Sequence, residues 1–542
     1  MPVYFSAMGI ACSIGQGKQE VAKTLFHDVS GHMLSERALL SGKSVPVGKI
    51  PFDLPELPPE LMSLNSRNNR LLKVALDEIK PDIEDAIAKY GVSRVGVVMA
   101  TSTSGMLEEE QAFRHKHLTG YPPKEFDYSQ SEISSPSQFA SQYLGIYGPA
   151  YTVSSACTSA SKAIYSARRL ISTGICDAVV VGGVDTLCDL TLNGFDALEL
   201  MSMHMCNPFS QNRDGITIGE GVAVFLATCE GALGDIELAG CGESSDAHHM
   251  CAPEPEGVGA QKAICDALAM AGLQPENICY INLHGTGTPL NDSIESAFTH
   301  RMFGDKLPCS STKALTGHTL GASGAIAAAF LWLALSSEKD GKIPLPPHVW
   351  DGQVDPSLPP LHFSKPGEFV VSINGSFALM SNAFAFGGSN TSIILKRQAL
   401  LDVNIKDLLP HDPPMVLIDR AMRYNDDSIH CQLTIKDDSP FCEGGFVPSY
   451  VALEYMAQTI AAWNGLISRQ LGEEPKIGYL LGARQLVLNV STFQVGEMLD
   501  IYGKSQYVDG EMASFDCWID INGKRVAHAG LNVFQPKEKD GK

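Results

Sequence analysis

Strand-like and helix-like stretches alternate along residues 1–397, and this alternation restricts the folds that the chain can adopt. Residues 94–101 (RVGVVMAT) and 176–183 (CDAVVVGG) are apolar runs typical of buried strands, whereas residues 159–171 and 259–271 have helical periodicity. Strands that alternate with helices form α/β layers around a largely parallel sheet. The sequence therefore predicts an α/β domain over residues 1–397.

The pattern changes after this domain. Residues 398–405 form a short linker that is not rich in Gly or Ser, so a tight join is expected. Residues 451–468 are one long apolar helix candidate, and alternating segments follow on both sides of Asn522 and Gly523. Asn-Gly between two alternating runs is a strong hairpin signal. Residues 406–542 are therefore predicted to form an α+β domain in which an antiparallel sheet wraps one helix.

Composition excludes several classes of protein. A chain of 542 residues is too long for a single core. The net charge of −21 argues against a nucleic-acid partner, because no excess of basic residues can neutralise phosphates. An acidic carrier protein could still dock on a local basic patch. The fourteen cysteines form no CxxC pair, and neither a signal peptide nor an apolar run of membrane-spanning length is found, so we expect reduced thiols and a cytoplasmic location.

Cys157 is the strongest nucleophile candidate. It lies in SSACTSAS, after a strand-like stretch at residues 151–154 and before a helix that is predicted to begin near Thr158. The positive end of a helix dipole favours the thiolate, and such a position can lower a thiol pKa from about 8.5 to roughly 3.5–7.5. The other cysteines lack this setting and are predicted to be ordinary buried thiols.

Two histidines lie in turns that are rich in Gly and Thr. His284 occurs in NLHGTGTP, and His318 follows Lys313 in STKALTGHTLGASGA. Neutral imidazoles can donate N–H bonds to a negative charge that develops only in the transition state. A nucleophilic thiol and two such histidines are the groups that decarboxylative carbon–carbon bond formation on thioesters needs.

At these motifs, and at residues 207–224 (NPFSQNRDGITIGEGVAV), the chain resembles the β-ketoacyl-[acyl carrier protein] synthases of the thiolase superfamily. The resemblance implies a duplicated α-β-α-β-α fold with halves at residues 1–235 and 236–397. It also implies an acyltransferase that condenses an enzyme-bound acyl chain with malonyl-carrier protein, giving 3-oxoacyl-carrier protein and carbon dioxide. The substrates would arrive on the phosphopantetheine arm of the acyl carrier protein, with no bound cofactor or metal.

The same resemblance implies a role for each matched residue. Cys157 would take the acyl chain, and its amide and that of Phe386 would form the oxyanion hole. His284 and His318 would polarise the malonyl thioester and stabilise the enolate, with Lys313 behind His318. The remaining implied residues are Glu220 in the network of Lys313, Thr286 and Thr288 for the phosphopantetheine amides, Phe384 with Phe386 at the gate of the acyl pocket, and Gly387 with Gly388 where backbone approaches closely.

Near relatives of this family differ at these positions. Degradative thiolases carry a second cysteine where this chain has NAFAFGGSN, and chain-length factors lack the nucleophile that this chain keeps. One alternative stays open, a synthase-like scaffold subunit that pairs with an active partner. Arg67, Arg70 and Lys73 lie where the family docks its carrier, although a basic cluster is equally expected on a plain solvated face.

The C-terminal motifs LPHDPPMVLIDR and GGFVPSYVALEYMAQTIAAWNG resemble the hotdog-fold 3-hydroxyacyl-[acyl carrier protein] dehydratases, in particular the dehydratase-like proteins of aryl-polyene gene clusters. That resemblance implies a dimer in which a histidine and a carboxylate from opposite subunits move protons across the substrate. Glu454 matches the carboxylate, but Ser439 holds the position of the histidine. His411 matches a different family histidine, and His430 and His528 are predicted to be structural.

Three interpretations of the C-terminal domain therefore stay open. It could be a dehydratase that uses another base, with His411 as that base. It could pair with a separate hotdog subunit that supplies the histidine opposite Glu454. It could be a non-catalytic acyl-binding or dimerising module. For the whole chain the sequence predicts a homodimeric, bifunctional-looking enzyme of fatty acid or aryl-polyene-type (polyketide-like) biosynthesis.

Overall fold

The computed structural model describes residues 1–27, 29, 34–231, 233–401, 403–470 and 472–536. It divides into two compact units: the first comprises residues 1–231 and 235–397, and the second comprises residues 232–234 and 398–542. The first unit ends at Arg397, where the α/β domain is predicted to end. Residue 402 of the predicted linker, and residues 471 and 537–542 of the predicted second domain, lie outside the described residues.

The first unit contains both strands and helices throughout its length. Its strands are β1 (Tyr4–Cys12), β2 (Gly15–Gln16), β3 (Leu34–Ala38), β4 (Ser44–Gly48), β5 (Val95–Ala100), β6 (Ala150–Val153), β7 (Ala178–Asp185), β8 (Ile218–Gly219), β9 (Gly221–Thr228), β10 (Ile236–Ser245), β11 (Tyr280–Asn282), β12 (Pro308–Ser310), β13 (Lys342–Pro344), β14 (His362–Phe363), β15 (Phe369–Val371), β16 (Ser376–Ala385) and β17 (Ser389–Gln398). Its helices are α1 (Gly17–His27), α2 (Arg67–Glu78), α3 (Lys80–Tyr90), α4 (Met106–Thr119), α5 (Ser135–Leu144), α6 (Ser159–Ser172), α7 (Asp189–Ala197), α8 (Val258–Ala271), α9 (Pro289–Phe303), α10 (Lys313–Thr316) and α11 (Ser323–Ser336). Short 3₁₀ helices lie at Pro59–Leu64, Tyr128–Gln130, Pro275–Asn277 and Leu320–Ala322.

The strands of this unit repeat one order. Twelve strands join in the order β14-β12-β11-β16-β17-β10-β1-β9-β7-β5-β6, with β2 paired to β1. From the centre outwards, β1-β9-β7-β5-β6 on one side matches β10-β17-β16-β11-β12 on the other. In each series the strands stand first, fifth, fourth, second and third in the chain. The duplicated fold implied by the sequence is therefore present.

The sheet is mixed rather than largely parallel. β5 pairs parallel with β6 and β7, and β11 pairs parallel with β12 and β16. In the centre, however, β1 pairs antiparallel with β9 and β10. The prediction of a largely parallel sheet is wrong here, because the last strand of each half runs antiparallel to the first (β9 to β1, β17 to β10). Alternation of strands and helices does not encode that orientation.

Helices α6 and α11 form a buried layer between the two halves. They contact each other, and α11 also contacts β7 and β9 of the first half and β16 of the second. The sequence of α11, SGAIAAAFLWLALS, is apolar on nearly every side, as expected for a helix that is covered all round. The residues just before these two helices are therefore held deep between the halves.

The second unit is one helix packed on an antiparallel sheet. Its elements are β18 (Arg420–Tyr424), β19 (Ser428–Thr434), β20 (Phe446–Pro448), α12 (Ala452–Gln470), β21 (Tyr479–Leu488), β22 (Thr492–Gln494), β23 (Met498–Asp509), β24 (Met512–Ile521) and β25 (Lys524–Phe534), with 3₁₀ helices at Ile405–Asp407 and Ser449–Val451. Six strands pair in the order β18-β19-β23-β24-β25-β21, and α12 packs on β19, β23 and β24. Asn522 and Gly523, with φ of 51° and 74°, join β24 to β25. The predicted hairpin and the α+β architecture are confirmed.

One border of this sheet is uncovered in the monomer. β21 is the outermost strand, and nine of its ten residues are exposed. Its apolar side chains Tyr479, Leu481 and Val487 are 55%, 56% and 47% exposed. An exposed apolar edge strand is a template for pairing with another strand.

Candidate active site

Three segments that are far apart in the chain meet in the first unit. Cys157 lies between β6 and α6, His284 follows β11, and His318 lies between α10 and α11. Sγ of Cys157 is 3.0 Å from Nε2 of His318. That sulfur and one ring nitrogen from each histidine all lie within 4.8 Å of one another. The structure therefore brings together the thiol and both histidines that the sequence singles out.

The backbone that precedes Cys157 is strained. Ala156 has a φ of 53°, in the left-handed region that residues with a side chain rarely adopt. Helix α6 begins at Ser159, close to its predicted start. On the other side, Oγ of Ser323 donates a 3.3 Å hydrogen bond to the carbonyl oxygen of Cys157. This sharp turn directs the thiol into a cavity.

The surroundings of Cys157 favour the protonated thiol. Burial raises the pKa of Cys157 to about 11, although the charge on Lys313 opposes the rise. The prediction that the helix N-terminus lowers the pKa of Cys157 is therefore wrong here, because desolvation of the thiolate outweighs the effect of the helix dipole. The ring of His318 is the neighbouring group that can receive the thiol proton.

Both histidines are neutral. Burial lowers the pKa values of His284 and His318 well below the usual value, and the charge on Lys313 lowers them further. Nδ1 of each ring is buried without a hydrogen-bond partner in the part of the chain that the structure describes. Neutral rings can donate an N–H bond to a developing anion and need no proton from solvent.

Lys313 is buried next to the turn that carries His284. Its Nζ donates to the carbonyl oxygen of His284. The amides of His284 and Gly285 both donate to the carboxylate of Glu295 at 2.7 Å. Burial lowers the pKa of Lys313 and raises the pKa of Glu295 to about 7, while the attraction between their charges opposes both changes. The carboxylate that shares the turn of His284 with Lys313 is thus that of Glu295 on α9.

Glu220 has a different partner. Its fully buried carboxylate accepts hydrogen bonds from Nε and Nη2 of Arg67 at 3.0 and 2.6 Å. It also accepts the amides of Ile50 and Leu187 at 3.2 and 3.3 Å. The prediction that Glu220 joins the network of Lys313 is therefore wrong, because an arginine 153 positions away in the chain neutralises it.

Two further buried carboxylates accept hydrogen bonds from backbone amides around the site, and the sequence reasoning missed them. Asp292 accepts the amide of Gly287 at 3.3 Å, and Asp185 accepts the amide of Ser102 at 2.8 Å. Asp292 and Glu295 lie one helical turn apart on the helix that follows HGTGTP, and this spacing could have marked them. Asp185 ends a buried strand and gives no comparable signal.

The thiol and both histidines line one cavity of about 540 Å³. The ring of Phe384 lies 5.7 Å from that of His284, and the ring of Phe386 lies 6.1 Å from that of Phe195. Phe384 is buried, whereas Phe386 is 39% exposed. Both predicted gate residues therefore border the cavity. It is also lined by Gly388 and by Thr286 and Thr288, whose hydroxyl oxygens are 2.9 Å apart.

The turn between β16 and β17 requires its two glycines. Gly387 and Gly388 have φ of 85° and 74°. A Cβ on Gly388 would lie 2.9 Å from Cβ of Asp246, whereas a Cβ on Gly387 would meet open space. The expected close backbone approach therefore occurs at Gly388, and Gly387 is needed for its φ alone.

The predicted basic cluster lies on α2, and each of its cations has a carboxylate partner. The pairs are Arg67 with Glu220 at 2.6 Å, Arg70 with Glu56 at 3.3 Å and Lys73 with Asp77 at 2.6 Å. Because Arg67 neutralises a fully buried carboxylate, it stabilises the interior and is unsuited to docking. Docking of a carrier protein stays a prediction for Arg70 and Lys73.

In the second unit, Glu454 lies in the first turn of α12 and is half-buried. Its Oε1 accepts a 3.0 Å hydrogen bond from Nε2 of Gln458. Gln458 is fully buried, and it also donates to the carbonyl oxygen of Met415 at 2.8 Å and accepts the amide of Leu417 at 2.9 Å. Glu454 is thus fixed by an amide that the sequence reasoning did not single out.

The other polar residues that the sequence marks in this unit have separate surroundings. Ser439, at the position of the family histidine, accepts the amide of Lys436 at 2.8 Å, as a turn residue does. His430 and His528 bind Asp500 and Asp516 at 2.8 and 2.6 Å, in keeping with a structural role. Nδ1 of His411 is buried and, within the described ranges, has no hydrogen-bond partner.

Three family models match the chain. The model for the N-terminal domain of β-ketoacyl synthases matches residues 2–230, and the model for their C-terminal domain matches residues 236–348. The ApeP dehydratase model matches residues 403–541. The predicted synthase and the predicted dehydratase-like domain thus match different family models over different segments of the chain.

Curated relatives cover the first unit. The 3-oxoacyl-[acyl-carrier-protein] synthase 2 of Staphylococcus aureus (strain COL) is 30% identical over 354 residues, which are 61% of this chain and 82% of that protein. Nodulation protein E of Rhizobium meliloti is 33% identical over 314 residues, which are 56% of this chain and 76% of that protein.

Solved structures give the same result. The ketosynthase ApeO of Xenorhabdus doucetiae, solved in complex with its chain length factor ApeC, matches with a TM-score of 0.68 and 45% identity. The match covers 73% of this chain and 98% of that one. A β-ketoacyl synthase from Burkholderia phymatum STM815 matches with a TM-score of 0.62 and 28% identity, over 73% of this chain and 99% of that one. The thiolase-like fold of the first unit is confirmed.

Among the described residues, no helix has the length and apolarity needed to cross a membrane. The condensing motifs, their geometry and the matching relatives agree on one assignment. The chain belongs to the β-ketoacyl-[acyl-carrier-protein] synthase family, a ketosynthase of fatty acid or aryl-polyene-type biosynthesis that carries an ApeP-like dehydratase domain on its C-terminal side.

Proposed function

We propose that the first unit loads an acyl chain onto Cys157 and condenses it with malonyl-[acyl carrier protein]. The observation that supports this most directly is the 3.0 Å contact between Cys157 and His318, with His284 in the same cavity. Both substrates would arrive on the phosphopantetheine arm of a carrier protein, so the chemistry uses only side chains and backbone amides of this chain.

In the loading step, Sγ of Cys157 attacks the carbonyl carbon of the acyl thioester. His318 takes the thiol proton and returns it to the departing phosphopantetheine sulfur. The sulfur–carbon bond to Cys157 forms while the carrier's sulfur–carbon bond breaks. We assign the oxyanion hole to the amides of Cys157 and Phe386, because both residues line the cavity. Each such donor contributes roughly 3–4 kcal/mol.

In the condensing step, the malonyl group loses carbon dioxide and its thioester becomes an enolate. The neutral ring of His284 donates an N–H bond to the enolate oxygen, where charge develops only in the transition state, and His318 does the same once its hydrogen has moved from Nδ1 to Nε2. The enolate carbon then attacks the acyl carbonyl on Cys157. One carbon–carbon bond forms, the bond to sulfur breaks, and the thiolate takes up one proton from solvent, which is the proton that the net reaction consumes.

The residues around these three act by position. Lys313 and Glu295 hold the turn of His284 through its carbonyl oxygen and its amide. Phe384 and Phe386 line the cavity and would gate the entry of the acyl chain. Thr286 and Thr288 would bind the amides of the phosphopantetheine arm, since both residues line the same cavity.

Intact-mass analysis tests this proposal. The chain should gain one acyl group from acyl-carrier protein and lose it when malonyl-carrier protein is added, as 3-oxoacyl-carrier protein appears. Cys157→Ala should gain none, and Cys251→Ala, which alters another thiol at the same cavity, should behave like the parent. An acyl adduct on Cys157→Ala would rule out this nucleophile.

We propose that the first unit works as a dimer. The sequence predicts a homodimer, but the solved ApeO ketosynthase, 45% identical to this chain, is bound to its chain length factor. That complex supports a heterodimer with a subunit of the chain-length-factor type. Native mass spectrometry distinguishes the two: a dimeric mass for the purified chain supports the homodimer, and a monomer that binds a co-expressed subunit supports the heterodimer.

For the second unit we propose half of a 3-hydroxyacyl-carrier-protein dehydratase site. Glu454 is held in place by Gln458, whereas Ser439 stands where the histidine is expected. A separate hotdog subunit would supply that histidine. The exposed apolar edge strand β21 offers a surface on which such a subunit could pair.

The test uses 3-hydroxyacyl-carrier protein with the chain alone and with a co-expressed hotdog subunit. Loss of one water only with the subunit, abolished by Glu454→Gln and unaffected by the surface control Glu443→Gln, supports the composite site. Water loss with the chain alone supports a self-sufficient dehydratase, and His411→Ala then tests its base. Water loss that needs the added subunit and is unchanged in Glu454→Gln would leave the domain a non-catalytic module.

A further inference from the structure

His348 is a buried histidine outside the reaction cavity, and both of its ring nitrogens are engaged. Nδ1 accepts the amide of Ser311 at 3.1 Å, and Nε2 lies 3.1 Å from the carbonyl oxygen of Pro208. An amide can only donate and a carbonyl oxygen can only accept, so the ring is neutral and carries its hydrogen on Nε2. Burial lowers the pKa of His348 to about 4, which keeps it in this form.

Aromatic neighbours hold the ring in this orientation. It stacks on Phe363 with 4.2 Å between centroids and 19° between planes. Phe209 and Trp350 flank it at 6.0 and 5.4 Å. The side chain is only 5% exposed. The ring is therefore a rigid bridge between the segment at Pro208 and the segment at Ser311.

The Ser311 side of the bridge leads to the histidine turn of the site. Oγ of Ser311 donates a 2.6 Å hydrogen bond to the carbonyl oxygen of Gly285. The same Oγ accepts the amide of Lys313 at 3.4 Å. Lys313 in turn binds the carbonyl oxygen of His284 through Nζ. Ser311 thus joins the lysine segment to the turn of His284.

The Pro208 side leads to the same turn. The residue after Pro208 is Phe209, and its amide donates to Oδ2 of Asp292 at 2.8 Å. The other oxygen of Asp292 accepts the amide of Gly287 at 3.3 Å. Both partners of His348 are therefore connected to residues 284–287, one through a side chain and the other through an adjoining amide.

We propose that His348 is a positioning residue for decarboxylation, which clamps the Pro208 and Ser311 segments and thereby fixes the turn of His284 against Lys313. It touches neither substrate nor reacting atoms. The inference rests on the proposed role of His284 in stabilising the enolate. Acyl loading depends on Cys157 and His318, so a loosened His284 turn should slow decarboxylation and spare loading.

Three substitutions separate the two ring contacts. His348→Asn places an amide oxygen near the position of Nδ1 and can still accept from Ser311. His348→Gln places its amide nitrogen near the position of Nε2 and can still donate to Pro208. His348→Leu can do neither. We expect decarboxylation of malonyl-carrier protein to slow about ten- to hundred-fold in the leucine variant, the cost of a small misplacement in an active site.

The readouts are two half-reactions, with thermal unfolding as the check on folding. Loading of Cys157, followed by intact mass, should stay within about two-fold of the parent while decarboxylation falls. The asparagine variant should keep more decarboxylation than the glutamine variant, because only the Ser311 contact reaches Lys313 directly. Equal losses in both half-reactions would show a merely structural role and overturn the proposal. If the leucine variant does not fold, parent-like decarboxylation in the Asn and Gln variants would overturn it as well.

His284→Ala in the same assay separates this inference from the function on which it rests. If that variant decarboxylates as fast as the parent, both the role of His284 and the positioning role of His348 are wrong. If His284→Ala is slow while all folded His348 variants match the parent, only the role of His348 is wrong.

Discussion

The two halves of the condensing unit share one topology but present different chemistry at equivalent places. The segment after β6 in the first half carries Cys157, whereas the segment after β12 in the second half carries Lys313 and His318. The turn after β5 carries Ser102, and the matching turn after β11 carries His284. The proposed mechanism divides its groups between the halves: the first half supplies the nucleophile, and the second half supplies both histidines, of which His318 also serves loading.

Cys157→Ala is expected to have the largest effect on this division. Loading of the acyl chain and condensation should fall on the order of 10⁶-fold, as happens when a catalytic nucleophile is removed. Decarboxylation of malonyl-carrier protein should persist, because the second half keeps its two imidazoles. The measurement is release of carbon dioxide beside intact mass of the protein. Loss of both activities in a folded variant would contradict the division.

His284→Ala is the reciprocal change. Decarboxylation should fall about 10²–10³-fold, the usual cost of one lost oxyanion donor. Acylation of Cys157 should continue, because His318 still lies 3.0 Å from its sulfur. Pre-steady-state mass analysis of the acyl-enzyme follows loading alone. A parallel loss of loading would mean that His284 also takes part in the acylation of Cys157.

Burial shifts the pKa values of the catalytic groups in opposite directions in the two halves. The pKa values of His284 and His318 are lowered by burial, so below about pH 6.5 the unfolded chain binds protons that the folded site excludes. The free energy of unfolding should fall as pH drops through this region, by up to about 1.4 kcal/mol per pH unit for each ring. The pKa of Cys157 is raised, so its contribution is lost instead as pH rises toward 11.

Urea unfolding between about pH 7 and pH 5 measures the acid side of this difference. The double variant His284→Asn with His318→Asn should show a flatter dependence on pH than the parent, because its substituted side chains do not titrate. Identical slopes for the two proteins would contradict the assignment of neutral rings.

The smallest expected effect tests the prediction that a carrier protein docks on α2. Arg70→Glu on α2 of the first half should raise KM for acyl-carrier protein about two- to five-fold, the scale of one exposed charge pair. It should leave a pantetheine thioester unaffected. Arg301→Glu on α9 of the second half, also paired with a carboxylate, is the matched control. Equal changes in both variants would leave α2 without a docking role.

Local signals explain which site residues could be predicted from the sequence. Cys157, His284 and His318 each lie in a short turn whose composition marks it, and they meet within 4.8 Å. Glu295 was missed because its role depends on burial and on backbone amides eleven positions earlier in the chain. The pairing of Glu220 with Arg67 spans 153 positions, and no local spacing shows it.

The fold follows the same rule. The Asn522–Gly523 turn and helix α12 depend on neighbouring residues and were predicted. The antiparallel orientation of β9 against β1 depends on packing across the sheet and was not. The positive φ of Ala156 was equally unreadable, because alanine rarely adopts it unless surrounding structure forces it.

The exposed strand β21 is synthesised before the strand with which it pairs. β21 ends at Leu488, and the strand beside it, β25, begins only at Lys524. At roughly 5–20 residues per second, a ribosome would leave β21 without that neighbour for a few seconds. A chain that terminated before β25 would leave both edges of β21 unpaired. Messages truncated near their end should therefore yield a product that aggregates, and not only a shorter one.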